Sequence, residues 1–282
     1  MTNQRKASAK AVATKANTDV AAYDYGEYAG AGFETMGRED FIVPFLNLLQ
    51  ANSPIILERD DLKAGMIYNS ASGLGYAADK DKAALGVEFV PFHREHIVME
   101  WKPRDSGGGL VAQHSLDAQL YTEAKQRAEK FGKYKTSEGN ELKETFNVFG
   151  LHISDWEAGE AAPAVLSFTS TKIKVYRQWM TRADAIKIAL PNGAKIKPPL
   201  WAHRYRFNSV LQKKGGDTFF NLQIGFAGEN AEQSRLAPDH PVFTLASDMY
   251  EQAKEGKMKV DMASLQREAG AEEDDAGEPT PF

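Results

Sequence analysis

Short runs rich in β-branched and aromatic residues, broken by glycine-containing turns, constrain this chain more than any other feature. Gly65–Ser70 (GMIYNS), Gly86–Trp101 (GVEFVPFHREHIVMEW), Leu142–Ile153 and Ala164–Phe168 share that composition. Branched and aromatic side chains fit a pleated surface, so each run predicts a strand. Gly73 and Gly75 mark a turn after the first, and Trp156–Pro163 a turn between the last two. Pro91 has no N–H to offer a neighbour and predicts a bulge or an edge in the longest run. Trp201–Gln212 and Thr218–Phe226 are two further strands, joined by Lys213-Lys214-Gly215-Gly216-Asp217, a hairpin signal.

Helical spacing appears between and around these strands. Glu39–Gln50 repeats Phe41, Ile42, Phe45, Leu46, Leu48 and Leu49 near the helical period, with Pro44 suited to a first turn. Ser115–Lys130 reads as an amphipathic helix capped by Ser115, with Leu116, Leu120, Ala124 and Ala128 on one face. Thr169–Ile188 places Ile173, Tyr176, Met180 and Ala183 three or four apart and is read as a helix, although Lys172–Tyr176 also alternates like a strand. Val242–Lys254 predicts a last helix. The expected class is mainly β with added helices (α+β), built on an OB-like five-stranded barrel core with helical insertions; other small barrels and an α+β sandwich share the same rhythm.

The 282 residues contain no cysteine, so a disulfide, a thiolate metal site and a cysteine nucleophile are all excluded and a reducing cytoplasm is expected. No apolar run approaches a membrane span or a signal-peptide core, and no membrane partner is expected. Residues 1–37 are expected to be a flexible basic arm and linker, with Arg5, Lys6, Lys10 and Lys15 followed by Tyr23, Tyr25, Tyr28 and Phe33. Residues 38–260 are the expected binding domain, and 261–282 a disordered acidic tail.

The net charge of -5 hides an uneven distribution. Between Pro163 and Gly216 stand Lys172, Lys174, Arg177, Arg182, Lys187, Lys195, Lys197, Arg204, Arg206, Lys213 and Lys214 against the single acid Asp184. Tyr176, Trp179, Trp201, Tyr205 and Phe207 are interleaved with them. Single-strand binding needs this pair of ingredients, cations to follow phosphates and aromatic faces to stack on unpaired bases at roughly 1–3 kcal/mol per base. The expected phosphate contacts are Lys172, Lys174, Arg177, Lys195, Lys197, Arg204, Arg206, Lys213 and Lys214, and the expected stacking residues Trp179, Trp201 and Tyr205. In Trp201–Phe207 (WAHRYRF) alternation sends Trp201, His203, Tyr205 and Phe207 to one face and Arg204 and Arg206 to the other, without deciding which face meets water.

The C-terminal residues Glu268–Phe282 (EAGAEEDDAGEPTPF) carry acids and no Lys or Arg, and end in Pro279-Thr280-Pro281-Phe282. That ending resembles the tails of bacterial single-stranded DNA-binding proteins and their lytic-phage counterparts. The resemblance implies that Glu272, Glu273, Asp274, Asp275, Glu278, Pro281 and Phe282 contact partners, the Phe entering an apolar pocket while the acids meet a basic rim. The partners so implied are DNA polymerase, helicase or primase. Asp40–Pro54 and Trp101–Asp105 (WKPRD) resemble segments of phage early proteins. The expected function is therefore non-enzymatic coating of single-stranded DNA in phage replication and recombination, with no cofactor and with self-association left open. A single-strand annealing protein and a virion or scaffold protein remain alternatives.

Motifs for chemistry are weak. His93 and His96 are three apart and, on a strand, would face opposite ways with no third metal ligand near. Asp60, Asp61, Asp79 and Asp81 lie in turn-like sequence, where Asp is common. Gly107-Gly108-Gly109 lacks the Lys-Ser/Thr of a phosphate-binding loop.

Overall fold

The computed structural model of the chain describes residues 31–32, 42–76 and 86–264. In the described part of Glu39–Gln50, the expected helix is replaced by two short strands, β1 (Ile42–Val43) and β2 (Leu46–Leu48). Val43 and Phe45 are buried on one side of the main sheet, Leu46 and Leu48 on the other. The segment crosses the sheet edge, where the Pro44 carbonyl accepts a hydrogen bond from the Val165 N–H at 2.8 Å. A segment serving two cores is apolar on all sides, and that pattern imitates helical periodicity.

One turn of helix, α1 (Pro54–Glu58), then β3 (Ile67–Asn69) and β4 (Gly75–Tyr76) follow, and β2, β3 and β4 form a small antiparallel sheet. The long run predicted from its composition is β5 (Val87–Trp101). After it come β6 (Leu110–His114), α2 (Gln119–Arg127), β7 (Tyr134–Lys135), β8 (Glu141–Asp155) and β9 (Glu160–Phe168). α2 begins four residues after Ser115, whose carbonyl, not its hydroxyl, closes the preceding turn by accepting from the Ala118 N–H. The remaining elements are α3 (Lys172–Ala185), a hairpin of β10 (Ile188–Ala189) and β11 (Lys195–Ile196), β12 (Tyr205–Lys214), β13 (Asp217–Phe226), α4 (Pro241–Lys254) and β14 (Lys259–Val260), which pairs with β1.

β5 and β8 are antiparallel along their whole lengths, from Glu88 opposite Ile153 to Trp101 opposite Glu141. At one end β12 and β13 extend this ribbon beside β5 while β9 extends it beside β8; at the other end β6 and β7 do so. Three cores follow. α3 and the small sheet cover one face, burying Phe89, Phe168, Trp179 and Phe207. α4 covers the opposite face over Phe45, Phe92 and Leu151. α2 lays Tyr121 and Ala124 on Val98 and Leu142 at the far end of the ribbon.

The chain is mainly β with several helices, as its composition implies, but the described pairings form an open sheet rather than a five-stranded barrel. A barrel encloses one core, whereas here each face of the sheet carries its own core under its own helix. The tail expected from residue 261 also starts too early. Ser70 Oγ donates to Asp261 Oδ2 at 2.9 Å, the Asp261 N–H donates to the Val43 carbonyl at 3.0 Å, and Ser264 is buried.

Pro91 does produce the irregularity its missing N–H predicts, a register shift between Pro91 and His93. Phe92 and His93 consequently face the same side, toward α4: Phe92 lies in that core and the His93 ring is 5.7 Å from Phe149. Before the bulge Val87 and Phe89 face α3; after it His96 does, and Val98 lies under α2. Gly150, opposite Pro91, is required by packing, since a Cβ there would overlap the Phe89 ring and lie 2.6 Å from the Val90 carbonyl oxygen.

The outer edge of β13 is blunted by side chains. Gln50 Nε2 donates to the Phe220 carbonyl and Gln50 Oε1 accepts from the Phe220 N–H, both at 2.9 Å. Arg182 Nη2 donates to the Ile224 carbonyl at 2.7 Å, and Asn221 Oδ1 accepts from the Leu222 N–H at 2.8 Å. These groups occupy the places a further strand would take. Gln50→Ala should lower stability by about 1–3 kcal/mol in urea denaturation, because two partly buried backbone groups lose their partners. An unchanged midpoint would show that water replaces the amide without cost.

Candidate nucleic-acid interface

Two of the three stacking candidates are core residues. Trp179 is 1% exposed and Tyr205 3%. The Trp179 ring meets Tyr205 and Phe207 edge-on, at 5.2 Å and 5.1 Å between centroids. Trp201 is not in the strand at all: Pro198 and Pro199 lack donors, the Ala202 N–H bonds back to the Pro199 carbonyl, and Leu200–Ala202 forms a 3-10 turn. Its ring packs on Tyr250 and Phe243 of α4, at 5.0 Å and 6.2 Å. A ring enclosed by its own core has no face to offer a base, so the sequence-based assignment of Trp179 and Tyr205 is corrected, while Trp201 is half-buried against α4 rather than placed on the strand. The alternation in WAHRYRF is present from His203 onward, with the aromatic side as the core.

Arg204 and Arg206 emerge on the opposite side and meet an acid that counting within the stretch could not see. Arg204 Nη1 donates to Glu88 Oε2 at 2.8 Å and Arg206 Nη2 to Glu88 Oε1 at 2.6 Å. The register of β12 on β5 places Arg206 opposite Glu88. The Arg204 guanidinium also lies 3.6 Å over the Trp156 ring, whose other face stacks on His240 at 4.1 Å. These two arginines therefore bind the β8–β9 turn, β5 and the start of α4 together, with one carboxylate offsetting half their charge.

Other cations of the stretch reach the surface in three places. Lys174 and Arg177 are exposed on α3. Lys187 and Lys195 are exposed at and just before the β10–β11 hairpin, beside the exposed Leu190 and Ile196, while Lys197 pairs with Asp184. Lys213 and Lys214 stand at the end of the β12–β13 hairpin, where Gly215 at φ 67° makes the two-residue turn. β12 pairs with β5 only over Tyr205–Phe207, so Asn208–Lys214 run on with β13 alone among the described strands. Lys172 is half-buried at the start of α3. Ser170, at φ 45°, reverses the chain between β9 and α3.

One arrangement had no signal in the sequence. The His96 ring stacks on Phe146 at 3.9 Å and 19°, and Phe146 stacks on Tyr176 of α3 at 4.4 Å and 24°. Tyr121 donates its hydroxyl hydrogen to Glu144, and the other Glu144 oxygen is 3.5 Å from His96 Nε2. Burial holds the His96 imidazole below its usual basicity; Glu144 opposes this and the guanidinia of Arg177 and Arg94 reinforce it. Burial and the Glu144 carboxylate together raise the Tyr121 hydroxyl well above its ordinary range. His93 points to Tyr250 on the other side of the sheet, so the two histidines do face apart.

The tail residues Glu272, Glu273, Asp274, Asp275, Glu278, Pro281 and Phe282 lie outside the described residues, as do Arg5, Lys6, Lys10, Lys15, Tyr23, Tyr25, Tyr28, Phe33, Asp79 and Asp81. Asp61 is held by Arg59, Nε to Oδ1 at 3.0 Å. Among the described residues no helix is long and apolar enough to cross a membrane. A family model described as Pam3 phage gp34-like protein matches residues 12–259. No curated protein and no solved structure matches the chain.

Proposed function

The chain belongs to the Pam3 phage gp34-like family, and on that premise we propose that it coats single-stranded DNA during phage replication and recombination without catalysing a reaction. The observation that carries this reading is the set of exposed cations on α3, the β10–β11 hairpin and the end of the β12–β13 hairpin. They come from one stretch that is nearly free of acids within a chain of net charge -5. In this reading phosphates are followed by Lys174, Arg177, Lys187, Lys195, Lys213 and Lys214, while Arg204 and Arg206 hold the fold. The acidic residues ending in Pro281 and Phe282 act on a polymerase, helicase or primase, as the resemblance of that ending implies.

Titration of the full-length protein with oligo(dT) and with duplex of equal length, at two salt concentrations, tests the reading. Oligo(dT) should bind more tightly, with affinity falling steeply as salt rises. Replacing Lys213 and Lys214 together with Ala should flatten the salt dependence by about 0.7 per lost contact. Equal affinity for duplex would overturn the proposal. Removing residues 271–282 should preserve oligo(dT) binding and abolish stimulation of a partner enzyme.

A further inference from the structure

We infer that His96 is a base-stacking residue, the exposed end of the aromatic column His96–Phe146–Tyr176, and that it takes one unpaired base with Arg94 and Arg177 beside it. The inference rests on the single-strand reading and assigns a stacking platform that the buried Trp179 and Tyr205 do not supply.

The column is continuous, with ring centroids 3.9 Å and 4.4 Å apart and planes within 24° of parallel. Its inner rings, Phe146 and Tyr176, are buried, whereas the His96 side chain is 29% exposed. Phe146 covers one face of the imidazole and Glu144 lies at Nε2, so that exposure falls on the remaining sides. A base laid there extends a stack that already exists, and the ring needs little ordering because it already lies flat against Phe146.

Charge sorts the parts of a nucleotide at this place. Arg94 is two residues from His96 on the same strand and shares its face beyond the Pro91 bulge, and it is exposed. Arg177 follows Tyr176 on α3 and acts electrostatically on the same imidazole. Both are suited to the phosphates on either side of a stacked base. Glu144 at the inner edge of the ring disfavours a phosphate there and leaves the face to the uncharged base. Among the described strands none pairs with the outer edge of β5 between Val90 and Ile97, since β12 stops at Phe89 and β6 begins at Val98. A strand of DNA reaching His96 meets no neighbouring β-strand on that flank.

The test compares full-length wild type, His96→Ala, His96→Phe and Arg94→Ala in oligo(dT) titrations at several salt concentrations, with urea midpoints for each. His96→Ala should weaken binding at least about fivefold, the lower end of what one stacked base contributes, without altering the salt slope. His96→Phe should bind within about threefold of wild type. Arg94→Ala should flatten the slope by about 0.7. A 5-iodouracil oligonucleotide photo-crosslinked to the wild type should label the peptide around His96 and serves where a variant does not fold. A wild type that binds oligo(dT) while both His96 variants match it, or whose crosslinks all fall elsewhere, overturns the stacking site alone. A wild type with no preference for single strands overturns the single-strand reading and this inference together.

Discussion

Trp179→Ala should cost about 3–5 kcal/mol of folding stability, the range for removing a large aromatic from a core. Trp179 is enclosed by Phe168 of β9 and by Tyr205 and Phe207 of β12. Its loss leaves a cavity between α3 and the sheet that rigid strands on one side and a helix on the other can fill only in part. The cost is a large share of the stability of an ordinary domain. Urea denaturation reads it directly. At denaturant-free, low temperature, where enough protein stays folded, oligo(dT) affinity should remain within about twofold of wild type, because the ring has no face to present. The opposite pattern, a small stability change with a large affinity loss, is what a stacking Trp179 would produce, and it would overturn the core assignment.

Acidification should destabilise the protein through His203. Its ring is 2% exposed, with Nε2 unpartnered, and burial first and the nearby Arg235 second depress its pKa from 6.5 to about 4. In that interval the unfolded chain binds a proton that the folded chain refuses. The stability His203 contributes is therefore complete above about pH 6.5 and declines as pH falls toward 4, by about 3 kcal/mol in all at 1.36 kcal/mol per unit. Burial depresses His152 and His93 in the same direction, so their contributions add. Urea midpoints between pH 7.5 and 4.5 should fall, and His203→Gln should flatten the fall. A pH slope identical in wild type and His203→Gln would show that folding does not depress the His203 imidazole.

Several elements were legible because their causes are local. Gly215-Gly216 between two β-rich runs specifies a two-residue hairpin wherever the strands end up, and Lys214 does lie opposite Asp217. Ile173, Tyr176, Met180 and Ala183, spaced for one helical face, all pack into the core under α3. Pro91 cannot donate a hydrogen bond in any fold, so the bulge was readable. Residues 42–50 were misread because burial on both sides of a sheet and burial around a helix leave the same apolar composition.

The candidate interface was less legible, because charge and aromatic content state what a surface can be made of and not which atoms reach it. Arg204 and Arg206 share Glu88 across 116 and 118 residues, and Gln50 brackets Phe220 across 170. Such pairs depend on strand register, which no local window contains. The strand-rich class, the Lys213–Asp217 hairpin, the helix-forming stretches and the reservoir of positive charge were readable from sequence alone, because they follow from backbone preference and composition. That the sheet is open, that Trp179 and Tyr205 are core and that His96 ends an aromatic column followed from the packing alone, because which face of a strand meets water is set by what packs on the other.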